Sequence, residues 1–138
     1  MWWTYALLSA VFAALTAILA KIGVKGVDSN VATAVRTVVI LGLAWLVVGL
    51  QGNLGAAAAI PRASLAFLVL SGFATGASWL FYFKALQAGP ASLVSALDKS
   101  SLALTIVLAA LFLGESLTLK TAVGCLLIIA GTAVIVWP

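Results

Sequence analysis

The sequence predicts an all-α integral membrane protein with five transmembrane helices, and three observations carry that prediction. Of 138 residues, 65% are hydrophobic and 7% charged, with a mean hydropathy of +1.30; an ordinary soluble domain has roughly 25% charged residues. Seven Lys and Arg and three acids are too few to clothe the surface of a soluble globule this short. The apolar residues also gather into five runs, and a helix crossing the bilayer needs about 20 residues. Strands do not fit, because a transmembrane strand is about 10 residues of alternating pattern and no run alternates. A helix pairs every backbone polar group within its own segment, as hydrocarbon requires.

The first span covers about 3–20 and stops where Lys21, Gly23, Lys25, Gly26 and Asp28 accumulate. The second covers about 30–50, with Ser29 or Asn30 as the expected N-cap, and Gln51, Gly52, Asn53 and Gly55 break it. An alanine-rich stretch closes at Pro61, after which 63–86 reads as the third span, ended by Gly89 and Pro90. The fourth runs over 91–113 to a turn at Gly114 and Glu115, and the fifth over 121–136. Five spans leave no room for a second domain. The first has no Lys or Arg before it and further spans follow, so it is expected to stay as a helix and not to be cleaved as a signal peptide.

Composition excludes several chemistries. Histidine is absent, which removes the commonest general base and metal ligand; no metal or cofactor is expected. Cys125 stands alone and reads as a small apolar residue in a helix. The net charge of +4 is scattered and makes no basic stripe for nucleic acid. With no histidine and one cysteine, neither a hydrolytic dyad nor a metal site can be assembled, so an enzyme is not expected.

An odd number of spans puts the termini on opposite sides of the membrane. The far side carries Lys21, Lys25 and Lys84, and the N-terminal side Arg62 and Lys120, leaving Arg36 and Lys99 within spans. So small a bias barely specifies orientation and is compatible with insertion both ways. Trp2, Trp3 and Tyr5 at one end and Trp137 at the other are placed as interfacial anchors.

The second half has an order of features that can be matched to a family. A helix ends Ala85-Leu86 before Gly89-Pro90, the next ends Leu113-Gly114-Glu115, and the last carries Gly124, Leu127, Ile128 and Gly131. In these features the whole chain resembles the EamA-like domain of the drug/metabolite transporter superfamily. The resemblance implies one half of an inverted-repeat transporter fold, since longer members look like two such units in opposite orientation around a central path. It implies that two copies assemble in a bacterial inner membrane, as an antiparallel homodimer with dual topology, the alternatives being parallel insertion or pairing with a different half-sized chain. Longer members often carry a proline within the fourth helix of a unit. This chain has Leu97-Asp98-Lys99-Ser100-Ser101 there, which puts the proline kink in doubt.

Polar residues within spans are the candidate site. Ser95, Asp98, Ser101 and Thr105 lie within about 120° of one face of the fourth span. A carboxylate at depth costs on the order of 3 kcal/mol unless it is paired, protonated or facing water. Counting 1.5 Å per residue puts Arg36 about 9 Å into the second span and Asp98 about 12 Å into the fourth, both from the same side. An Arg36–Asp98 ion pair is therefore expected, with Lys84 or Lys99 as an outer member. It reads either as a structural tie or as a water-facing substrate site. In the latter, Arg36 and a lysine attract an anionic or zwitterionic group and Asp98 titrates or holds an ammonium. On the third span, Gly72, Thr75, Gly76, Trp79, Tyr82 and Phe83 project within about 60° of one direction. The glycines there suit close packing, while Trp79, Tyr82 and Phe83 suit stacking on a substrate, a cation over a ring or plain packing. Gly124 and Gly131 are the expected dimer seam, where small residues let backbones approach.

The leading function is a small secondary transporter of a small metabolite, working by alternating access with Asp98 as the proton-coupling residue. One alternative is a cation exporter of the small multidrug resistance type, which needs a carboxylate in the first span, where residues 3–20 have none. Another is a noncatalytic half-unit completing a larger transporter or flippase.

Overall fold

The computed structural model describes residues 1–138. Its regular elements are all helices: α1 (Trp2–Gly23), α2 (Ser29–Leu50), α3 (Leu54–Ala58), α4 (Arg62–Ala88), α5 (Ala91–Asp98), α6 (Ser101–Leu113) and α7 (Leu119–Val136). Five stretches are long and apolar enough to cross a membrane: α1, α2, α4, Ala91–Leu113 and α7. The 22 residues of α2 run about 33 Å, close to the hydrocarbon thickness of about 30 Å. At 27 residues, α4 reaches about 40 Å and must tilt or emerge past the hydrocarbon.

The helix ends follow from local chemistry. Asp28, and not Ser29 or Asn30, is the N-cap of α2. Its backbone is extended, and its carboxylate accepts from the Asn30 N–H at 2.9 Å and the Val31 N–H at 3.1 Å, satisfying two donors that have no intrahelical partner. Pro61 and Pro90 stand just before α4 and α5, and each carbonyl accepts the first helical N–H, from Leu65 at 2.9 Å and Val94 at 3.0 Å. Gly114 ends α6 at φ +68°, a left-handed conformation open to glycine, while the Glu115 N–H reaches back to the Ala109 carbonyl at 3.3 Å. The Gly114 N–H returns to the same carbonyl, so Ala109 O takes up two donors where the helix ends on glycine. Thr118 caps α7 through its hydroxyl, which accepts from the Thr121 N–H at 3.1 Å. The alanine-rich stretch after the second span forms the short helix α3.

The fourth span is interrupted, although it has no proline. Lys99 and Ser100 keep right-handed helical angles, but the ladder tightens. Lys99 N–H bonds to Ala96 O at 3.1 Å, Ser100 to Leu97 at 3.0 Å, Leu102 to Lys99 at 3.1 Å and Ala103 to Ser100 at 3.1 Å, each three residues back. The Ser100 hydroxyl also donates to Leu97 O at 2.7 Å. Such a stretch of tighter turn inside a helix frequently marks a functional position.

The chain forms two compact units, Leu19–Ala88, and Met1–Ile18 with Gly89–Pro138. In the first, α2 packs against α4. Phe83 and Leu86 of α4 are buried, with Ala20, Val24, Ser29 and Thr33. The buried Thr33 hydroxyl is satisfied by donating to Ser29 O at 2.8 Å. At the end of α4 the ammonium of Lys21 donates to Leu86 O and the Gln87 amide to Val27 O at 2.9 Å. A cation is well placed there, where carbonyls lack intrahelical donors and the helix dipole is negative. In the second unit α5 and α6 both pack on α7, and Thr132 is buried. Phe67, Phe81 and Phe112 are exposed by 74%, 75% and 79%; exposed side chains this large suit lipid, not water.

Candidate transport site

Within Leu19–Ala88, Arg36 is the polar centre. It sits one turn beyond the buried Thr33 on α2, half-buried. Its guanidinium carbon lies 4.6 Å from the ring centroid of Phe83 and 5.3 Å from that of Trp79. Trp79 and Phe83 are four residues apart and share one face of α4. Phe83 in turn meets Tyr82 edge-on, with centroids 6.3 Å apart and planes at 66°. Aromatic faces stabilise a cation without an acceptor oxygen, and no oxygen of this unit accepts a hydrogen bond from Arg36. Within this unit its contacts are to rings and not to oxygens.

In the other unit, Asp98 ends α5 and its carboxylate lies 3.5 Å from the Lys99 ammonium. The side chains are 43% and 63% exposed respectively. Next to them, the Thr132 hydroxyl of α7 donates to Ala96 O at 3.3 Å, so a second helix supplies a donor where the ladder of α5 is disturbed. Leu97, Ser100, Ile129, Thr132, Ala133 and Val136 line a cleft of about 330 Å³ at this point. Ser95 is half-buried and Ser101 exposed, and Ser101 O accepts from the Thr105 hydroxyl at 2.9 Å.

The contacts of Arg36 and Asp98 are each described within their own unit, and the ion pair expected between them would join the two units. Each residue has a partner inside its own unit, aromatic rings for Arg36 and Lys99 for Asp98. Lys99 lies directly beside Asp98, and Lys84 is exposed near the end of α4. The face read on the third span divides in two. Trp79 and Phe83 turn to Arg36, while Gly72 and Gly76, with Val69, Phe73, Ala77 and Leu80, form an open apolar groove of about 540 Å³. A Cβ added at Gly72, Gly76, Gly124 or Gly131 would meet no atom within 4 Å, so no part of the chain fills these positions. One contributor went unassigned in the sequence, Thr132, the one hydroxyl within the apolar second half of α7; Phe83, the ring nearest Arg36, belongs to the aromatic face read on the third span.

The EamA-like transporter family matches residues 1–137. A protein of Sinorhizobium sp, named as an uncharacterized transporter in the cobO 3' region, is 48% identical over 130 residues, covering 94% of this chain and 92% of that protein. That relative is therefore also of single-unit length. No solved structure matches the chain. Five apolar helices with charged residues set inside them, and a family match spanning nearly every residue, lead to one identification: the chain is a membrane transporter that belongs to the EamA-like transporter family.

Proposed function

We propose that this transporter is a secondary carrier of a small anionic or zwitterionic metabolite, worked by alternating access between two antiparallel copies in a bacterial inner membrane. The observation that carries the substrate class is Arg36 over Phe83 and Trp79. A guanidinium presents five N–H donors in a fork that matches a carboxylate bidentately. Here its charge is steadied by rings, so no protein carboxylate has to be displaced before a substrate carboxylate binds. The same rings already hold an internal cation, which disfavours a cationic drug as cargo.

Tyr82 and Lys84 are assigned to the substrate beside Arg36 in its unit, and Ser95, Asp98, Lys99 and Ser101 are assigned to it in theirs, with Asp98 exchanging the coupling proton. The pairing of two copies is supported by the single-unit length shared with the relative and by the weak cation bias across the membrane. Gly124 and Gly131, with open space before them, supply the seam.

Solid-supported-membrane currents on liposomes, screened over amino acids, organic anions, amines and drugs, test this reading. Currents from carboxylate-bearing solutes are expected; currents confined to organic cations would overturn the substrate class.

A further inference from the structure

The Asp98 carboxylate is an unusual group to find in a membrane helix. Its one partner is an adjacent residue, and adjacent residues on a regular helix do not face each other. The pair forms where the ladder tightens, at 3.5 Å, longer than the 2.7–2.9 Å of a good charge-assisted bond. No N–H or O–H of its unit hydrogen-bonds to the carboxylate, and 43% of the side chain remains open. A carboxylate at this depth needs a cation, and the one present is held loosely on a flexible four-carbon stem.

We infer that Asp98 is a binding site for a primary ammonium group, and that Lys99 is its tethered resident, displaced when a ligand ammonium arrives. The resident itself identifies the ligand chemistry, because the site as it stands holds an alkylammonium. Lys99 competes from the same chain at a fixed local concentration and so sets the affinity for the incoming group. An open, loosely paired charge of this kind contributes little, so displacement is within reach of a small ligand. The inference rests on the reading of α5 and α6 as part of the transport path and deepens it to an amino-bearing substrate. It is tested by binding alone, so a failure of transport assays would leave its result intact.

The test uses the purified full chain in liposomes and dicyclohexylcarbodiimide. Modification of Asp98 is counted by mass after proteolysis as the sum of the acylurea, the internal amide with Lys99 and the N-methylamide that methylamine forms from the activated carboxyl, so that only unmodified Asp98 scores as protected. Asp28 and Glu115, the other two acids, serve as internal controls. Methylammonium chloride is expected to protect Asp98, and tetramethylammonium and sodium chlorides to protect it far less. In Lys99→Gln the half-protecting methylammonium concentration is expected to fall roughly three- to tenfold, since an occupied site lowers apparent affinity by its vacant fraction. In Lys99→Arg, whose fork grips a carboxylate more firmly, it is expected to rise. If Lys99→Gln does not fold, the Lys99→Arg arm decides alone. Equal protection by all three salts, or a half-protecting concentration that no folded variant moves, would overturn the inference.

Discussion

The guanidinium of Arg36 on α2 lies 4.6 Å from the ring of Phe83 on α4, one of the most deeply buried side chains in the chain at 1% exposure. The contact joins a charge within a membrane span to the core of its unit, with Trp79 at 5.3 Å adding a second ring. Cation–π contacts are worth roughly 0.5–1 kcal/mol when exposed and about 2 when desolvated. Arg36→Ala is therefore expected to cost about 1–3 kcal/mol, seen as lower thermal stability in detergent. Arg62→Ala, at the exposed start of α4, should change little. Equal shifts for the two variants would mean that the rings do not hold Arg36.

Thr132 and Ala96 make the corresponding tie in the other unit. Thr132→Val keeps the shape and removes the donor, and an interhelical bond of this kind is worth about 0.6 kcal/mol on average and at most about 1.7. Faster hydrogen exchange at the Lys99 and Ser100 amides is expected, with Thr132→Ser restoring the native rate. Unchanged exchange in Thr132→Val would separate the interruption of the fourth span from this hydrogen bond.

The five spans were legible because hydrocarbon tolerates few polar residues, so long apolar runs and their Gly, Pro and charged breaks mark the helices directly. The interruption at Lys99–Ser100 was not. No proline or glycine announces it, and the donors that accompany it come from the Ser100 side chain and from Thr132, 36 residues away. Asp28 was passed over as the cap of α2 because Ser29 and Asn30 beside it are equally good capping residues. For Arg36, helical rise gave the depth but no direction. The packing of α2 on α4 is what brings the rings of Phe83 and Trp79 to it.

Asp98→Asn tests proton coupling. Asparagine keeps the size of the side chain and cannot ionise, so transport driven by a pH gradient is expected to be lost, while exchange of substrate for substrate without a gradient persists at reduced rate. Gradient-driven uptake at the wild-type level across pH would remove Asp98 from the coupling step.

Orientation follows from counting cations. Counted along five spans, Lys21, Lys25 and Lys84 are expected on one side and Arg62 and Lys120 on the other, a difference of one. Reporter fusions at the C-terminus are expected to give signal from both sides, and adding two lysines to the loop after α1 should bias the chain to one side and reduce transport. Signal from one side only in the unmodified chain would contradict an antiparallel pair.

The central claim, that Arg36 reads a substrate carboxylate, is tested most directly by comparing transport currents for a carried carboxylate solute and its methyl ester, in wild type, Arg36→Lys and Arg62→Ala liposomes. The expected result is a current with the carboxylate and none with the ester, reduced at least about tenfold in Arg36→Lys, where a point charge replaces the bidentate fork, and unchanged in Arg62→Ala. An ester carried as well as its acid, or an undiminished current in Arg36→Lys, would contradict it.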